Sequence, residues 1–249
     1  MTPPSPGAEP FQQFTMLHGV SVAACAAATL LIVTVGRRLR PLHERRFGVV
    51  LALVGFVVAG VNQWWWLRQG VMEGLPLQIC DLSQVLAGIA LLWPARLLRT
   101  MLYFWAFALS TQAFITPVLE WGPPDPRYWL FWSSHTVIVG YAIYDVAVRG
   151  YRPGFRDFLI AFGVTVLYAY AVIPLNLALE SNYVYTGPST PGQPTLIDHL
   201  GPWPFRLLPL TALVGCAMLL AWLPWCVVGR LSRKERTRDA DGPREADGR

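Results

Sequence analysis

The sequence predicts an all-α fold: a polytopic membrane helix bundle of about seven transmembrane helices, with the N-terminus outside and the C-terminus cytoplasmic. Three observations predict it. Of the 249 residues, 54% are apolar and only 14% are charged, against about 25% charged in soluble domains, so most of this chain cannot face water. The apolar residues fall into seven runs of about 20, each long enough to cross the hydrocarbon core as a helix. Between the runs, connections rich in Arg alternate with connections that hold almost none, which is the positive-inside pattern.

The runs cover residues 14–35, 47–66, 75–95, 98–117, 128–148, 155–178 and 206–228. The first connection, GRRLRPLHERR at 36–46, holds five Arg. Arg96 and Arg99 follow the third run, Arg149, Arg152 and Arg156 lie around the connection after the fifth, and a basic tail begins at Arg230. The alternate connections hold Arg68, Arg127 and Arg206 alone, and residues 1–13 have no Lys or Arg. Every connection therefore agrees on one orientation. The first run is not expected to be a cleaved signal peptide, because it lacks a positive n-region and its arginines follow rather than precede it. Three parts result: an extracytoplasmic segment at 1–13, a seven-helix membrane domain at 14–228, and a charged cytoplasmic tail at 229–249 expected to be disordered. The excess of basic over acidic residues, 20 against 15, is a membrane pattern by its placement, and no nucleic-acid partner is expected.

Residue counting excludes several chemistries. The one lysine, Lys234, lies in the tail, so no retinal Schiff base can form in the seventh run. Haem between helices needs axial ligands such as paired His, and only His18 and His135 lie near the membrane, with His43 and His199 in connections. A zinc site wants three or four converging ligands, which Cys80, Asp81 and His135 barely supply. The sequence holds no P-loop, GxGxxG, CxxC or HExxH pattern. No metal and no cofactor is expected. Cys25, Cys216 and Cys226 read as small buried hydrophobes.

One stretch, LPLQICDLSQ at 75–84, sets three polar or reactive residues (Gln78, Cys80, Asp81) at the mouth of the third run. Counted from Leu75, Cys80 lies about 8 Å below the outer boundary, and His135, counted from Tyr128 in the fifth run, lies about 10 Å below it. Asn62, Gln63, Ser110, Gln112, Ser133, Ser134 and Asn176 gather at the same level, whereas the inner half holds Asp145 alone of note. Polar groups at membrane depth are costly unless partnered and mark functional sites. They define an outward-facing polar pocket. A thiol there becomes a nucleophile when a base takes its proton, most often His, so Cys80 and His135 form a candidate dyad. Asp81 stands about 100 degrees around the helix from Cys80 and can orient His135 or bond Ser134, Gln84 or a backbone donor. The plainer alternatives are packing for Cys80 and an interhelical hydrogen bond for His135. The long outer connection at 179–205 carries Asn182, Tyr183, Tyr185, Asp198 and His199 and has the length of a lid.

LPLQICDLSQ, FWSSHTVIVGY and the outer NYVYTGP…PTLIDHLGPWPF segment together resemble the YwaF-type bacterial integral membrane proteins, over most of the chain. That family is similar to a eukaryotic transmembrane acyltransferase that remodels ether phospholipids, and more distantly to the androgen-induced membrane hydrolases of fatty-acid esters. The resemblance implies a membrane-embedded nucleophile at Cys80 and a base at His135. The chain departs from those relatives at Asp81, where the acyltransferase carries His, and at Gln78, where bacterial members carry His. Gln78 can instead donate to an oxyanion.

The expected function is that of a membrane-embedded acyl-lipid enzyme, acyltransferase or hydrolase, supported by Gln78, Asp81, Ser134, Asn62, Gln112, Asn176 and Tyr183 around Cys80 and His135. The expected partner is a membrane lipid or acyl-chain substrate, and the expected location is the plasma membrane of a bacterial cell. The alternatives are a non-catalytic lipid or small-molecule binder or transporter using the same pocket, and a scaffold.

Overall fold

The computed structural model describes residues 10–70, 74–119, 121–189 and 196–240. Its helices are α1 (Met16–Arg38), α2 (Pro41–Gln69), α3 (Ile79–Leu92), α4 (Arg96–Phe104), α5 (Pro126–Ala147), α6 (Phe155–Ala171), α7 (Ile173–Ala178) and α8 (Leu207–Ala240). A π-helical turn (Trp105–Ser110) and a 3-10 turn (Thr111–Phe114) extend α4, and further 3-10 turns lie at Tyr183–Tyr185 and Leu196–Leu200. With α4 and its turns taken as one rod, and α6 with α7 as another, the seven apolar runs correspond to seven helical rods. Pro174 explains the break in the sixth, since it lacks the main-chain donor a continuous helix needs.

The helix starts follow local chemistry. Thr15 caps α1 by accepting from the His18 N–H, and Asp125 caps α5 by accepting from the Arg127 N–H at 2.9 Å, with Pro126 at the first helical position. In α6 the Asp157 carboxylate reaches back to the Gly154 N–H at 2.6 Å. α8 continues as helix to Ala240, into the segment expected to be a disordered tail, while residues 241–249 lie outside the described residues.

Four rods, α1, α2, α6 with α7, and α8, are long and apolar enough to cross a membrane on length and composition alone. The other three fall short for reasons that locate the core. α3 has 14 residues, or about 21 Å of helix, against a hydrocarbon core of about 30 Å. α4 is interrupted by its π turn, and α5 carries Ser133, Ser134, His135 and Asp145 among its apolar residues. These are the inner rods. α5 is buried along most of its length and packs against α1, α2, α3, α4 and the π turn. α6 and α8 pack on each other, α6 also lies against α4, and α8 lies against the π turn. The outer rods turn apolar side chains such as Leu30, Val57, Leu167 and Leu220 outward, which is stable only where lipid rather than water surrounds them.

Close approach depends on glycines, two of them around α2. A Cβ at Gly88 of α3 would sit 2.7 Å from the Phe56 ring of α2, and one at Gly55 would sit 3.1 Å from Tyr141 of α5. Small residues at such crossings let helices pack without a hydrophobic drive between them. They also fix register, with Phe56 level with Gly88 and Gly55 level with Tyr141.

The two ends of the bundle differ. At the end holding the α1–α2 turn, Arg96 pairs with Asp157 at 2.6 Å, Arg99 with Asp145 at 2.8 Å, and Arg149 with Glu44 at 2.7 Å. The Arg149 guanidinium also donates to the Leu91 carbonyl, and the buried Thr100 and Tyr151 hydroxyls share a 2.8 Å bond. Burial pushes the Tyr151 hydroxyl up to about 12. Asp145, which the sequence sets apart in an otherwise dry half, is thus one half of an ion pair. Arg96, Arg99 and Arg149 are helix-end partners rather than free loop charges.

Candidate functional site

The opposite end carries the polar residues, and its centre is the broken start of α3. Residues 75–78 are not helical although they belong to the third apolar run, because Pro76 disfavours helix in the residue before it and supplies no donor. Irregular backbone at membrane depth is tolerated only where protein satisfies it. Here the Tyr168 hydroxyl donates to the Leu77 carbonyl at 2.7 Å, Gln63 donates to the Gly74 carbonyl, and the Leu77 N–H bonds the Leu75 carbonyl. Cys80 is therefore not five residues down a helix. It is the second residue of one, in its first turn.

Gln78 and Asp81 serve that turn. Asp81 accepts from the Gln78 N–H at 3.3 Å, the reciprocal arm of an N-terminal cap. The Gln78 Oε1 accepts from the Val184 N–H at 3.0 Å. Gln78 thereby fastens the outer connection to α3 through its acceptor oxygen. Asp81 caps its own helix, and no hydrogen bond links it to His135 among the described residues.

The segment fastened by Gln78 is a strained strap. Val184 and Tyr185 adopt φ of 57° and 60°, left-handed values that are outliers for a β-branched residue. Asn176, fully buried, holds the strap with its whole amide: Nδ2 donates to the Tyr183 carbonyl and the Thr186 hydroxyl, and Oδ1 accepts from the Ser181 hydroxyl and the Tyr183 N–H. Asn176 and Tyr183 are thus spent on shaping the strap. Beyond them Arg206, fully buried, donates to Asp198, the Ser189 hydroxyl and the Gly187 carbonyl, so Asp198 anchors the strap's far end. Burial raises the Tyr185 hydroxyl above the usual phenol range, and the neighbouring Cys80 sulfur raises it further.

The Cys80 thiol meets Ser110, whose Oγ lies 3.8 Å away and is fully buried. Ser110 ends the π turn, and π turns concentrate at functional sites because the extra residue re-aims a side chain. The sequence displays Ser110 among the polar residues of this level, but nothing in WAFALS announces a π turn.

His135 is buried on α5. Its Nδ1 hydrogen-bonds the Phe131 carbonyl at 2.8 Å, and its ring packs on Phe131 and edge-on to Phe114. Nε2 makes no hydrogen bond among the described residues, and Cys80 and His135 are not bonded to each other. Phe114 and Cys80 both pack against the main apolar cluster of the bundle. Ser134 donates to its own helix, at the Leu130 and Phe131 carbonyls. Gln112 is exposed on the 3-10 turn. Asn62 is buried near the top of α2, two turns beyond Gly55 on the same face, which brings it to the level of Ser134 and His135.

One residue of this level was visible in the sequence only as a possible partner for Asp81. Gln84 is 2% exposed, and its Oε1 has no partner among the described residues. Among the described residues no group of three or more His, Cys, Asp or Glu stands close enough to hold a metal ion.

No curated protein and no solved structure matches this chain. A family model does, over residues 9–223, which takes in all seven helical rods and leaves out the distal part of α8. On that match, and with a fold of outward-facing apolar helices around a buried polar end, the chain belongs to the TMEM164 family of transmembrane proteins.

Proposed function

We propose that this protein is a membrane-embedded acyl-lipid enzyme, an acyltransferase or hydrolase, in which Cys80 is the nucleophile and His135 the base. The observation that carries this reading is the position of Cys80. It lies in the first turn of a helix that begins inside the apolar run, beside a buried serine and under a strained strap. Packing alone has no need of a helix broken at that point.

In this reading, the lipid ester enters beneath the strap and separates Cys80 from Ser110. His135 Nε2 accepts the thiol proton, catalytic hydrogen bonds often being long until substrate is bound. The sulfur attacks the acyl carbonyl, the carbon–sulfur bond forms, and the departing glycerol oxygen takes the proton back from His135. The thioester then passes its acyl group to a lysophospholipid hydroxyl, giving transfer, or to water, giving hydrolysis. The acyl chain has a place to lie. A groove of about 420 Å³ runs between the π turn and α8, lined by Tyr103, Phe107, Ala108, Ala217, Leu220 and Pro224. Phe107 also packs in the cluster that receives Cys80. The sequence resemblance to the ether-phospholipid acyltransferase favours the same chemistry, and the Arg distribution favours a site in the outer leaflet of the plasma membrane.

Intact-protein mass spectrometry after incubation with mixed phospholipids tests the reading. Wild type should gain one acyl mass that hydroxylamine removes, and Cys80→Ala and His135→Ala should not. A second reading, a non-catalytic lipid-binding or transport protein, is favoured by the bonds Cys80 and His135 already make, to Ser110 and the Phe131 carbonyl. It predicts that Cys80→Ala leaves lipid binding intact and that no covalent adduct forms.

A further inference from the structure

Gln84 is the polar side chain that nothing at this level uses. It is 2% exposed, and no hydrogen bond engages its amide among the described residues. A buried carboxamide carries two donors and an acceptor, and leaving such a group unpaired is costly, which selects against Gln wherever Leu or Met would pack. Its place on α3 is specific. Gln84 follows Cys80 by four residues, which puts both on one face of the helix about 6 Å apart along the axis. Helical side chains lean toward the N-terminus and cover the turn before their own Cα. The Gln84 amide therefore reaches back to the level of Cys80. The same face continues through Ala87 and Leu91, both in the cluster formed with α5, so it looks into the bundle rather than at lipid.

A second unused donor adjoins it. The Asp81 and Leu82 N–H groups both go to the Gln78 carbonyl, whereas the Cys80 N–H precedes the first acceptor inside the helix and bonds no group among the described residues. Gln78, the other amide near Cys80, spends its Oε1 on the Val184 N–H and is tied to the strap. The nucleophile is thus flanked by its own main-chain N–H and by one carboxamide free to turn either end toward a ligand.

We propose that the Gln84 side-chain amide and the Cys80 main-chain N–H together bind the oxyanion formed when an acyl ester is attacked at Cys80. The assignment rests on the acyl-lipid reading above. As the sulfur bonds the carbonyl carbon, the carbonyl π electrons move onto oxygen, and the two N–H groups stabilise that charge. When the tetrahedral intermediate collapses, the electrons return and the ester carbon–oxygen bond breaks. The Cys80 N–H is held by its helix turn before substrate arrives, and the buried Gln84 amide turns its Nε2 toward the oxyanion in surroundings that exclude water, where such bonds act most strongly.

The test is the rate of Cys80 acylation, followed by intact mass in a single turnover with a phospholipid ester in detergent micelles, with thermal unfolding measured in parallel. Gln84→Met keeps length and shape and removes both donors. It should slow acylation by about 10²–10³-fold, leave the lipid concentration for half-maximal rate within about twofold, and leave the unfolding temperature unchanged or raised, since an unpaired polar group has gone. Gln84→Asn, which keeps the amide and withdraws it by one methylene, carries the test if Gln84→Met does not fold, and should lose at least about tenfold. Acylation of either folded variant at the wild-type rate overturns the assignment while the Cys80 reading stands. A wild-type protein that never acylates at Cys80 overturns both.

Discussion

At the scale of single residues, the polar groups of this bundle divide into those already bonded and those left open. Asn176 belongs to the first kind. Its amide makes four hydrogen bonds, one of them to the Tyr183 N–H just before the left-handed pair Val184 and Tyr185. Replacing Asn176 with Ala should remove the partner of that buried N–H, at about 1–3 kcal/mol, and loosen a strained segment then held by Gln78 and Arg206 at its two sides. Thermal unfolding should fall accordingly, and a labelling reagent should reach Cys80 faster than in wild type. An unchanged labelling rate would mean that the strap does not cover the thiol. Gln84 Oε1 and His135 Nε2 belong to the second kind among the described residues, and Cys80 bonds only the Ser110 hydroxyl there. Depth counting in the sequence brought Cys80 and His135 to one level, and it also brought Gln112 there, which the fold turns outward. Depth is legible from the length of a run, but rotation about a helix is not, and rotation decides which polar residues meet.

At the scale of elements, the seven runs were legible because lipid imposes length and apolarity on every rod. What hydropathy hid is that the rods are not equivalent. The four that are both long and apolar face outward, and the three that hold the candidate site are short, interrupted or polar. The break before α3 follows from Pro76, but its consequence, Cys80 at a helix N-terminus, needed Tyr168 and Gln78 in place to show that the irregular segment is satisfied. The π turn had no sequence signal at all. It widens α4 where α8 approaches and leaves the groove at Phe107 and Ala108, which stays open because Ala217 is small and because Pro224 interrupts the main-chain ladder of α8. If an acyl chain lies there, Ala217→Phe should shorten the chain length preferred for Cys80 acylation, read by competing phospholipids of different chain lengths in one mass spectrum. It should not alter the thiol's labelling rate, since Ala217 is on another rod. An unshifted preference would place the chain elsewhere.

At the scale of the whole molecule, the two ends have opposite designs. One end closes its charges in pairs across α2, α4, α5 and α6, and the other leaves polar groups open beneath a strap. The paired end can therefore hold the rods while the open end changes shape around a ligand. The pairs differ in weight. Arg96 keeps 67% of its side chain exposed, and its partner Asp157 is also held by the Gly154 N–H and the Thr100 hydroxyl. Arg96→Ala should thus cost no more than an exposed ion pair, up to about 1 kcal/mol. The Asp145 side chain is 4% exposed, and Arg99 is the one side chain that donates to it among the described residues. Arg99→Ala should leave a buried, uncompensated carboxylate, at about 3–5 kcal/mol. Removing both charges, as Arg99→Met with Asp145→Leu, should restore much of that loss, because the cost lies in the stranded charge and not in the missing attraction. Unfolding temperatures of the three variants in detergent decide it. The predicted order is Arg99→Ala lowest, the double variant above it and Arg96→Ala near wild type. A double variant no more stable than Arg99→Ala would mean that the pair itself, rather than the neutrality of the inner face, clamps α4 to α5.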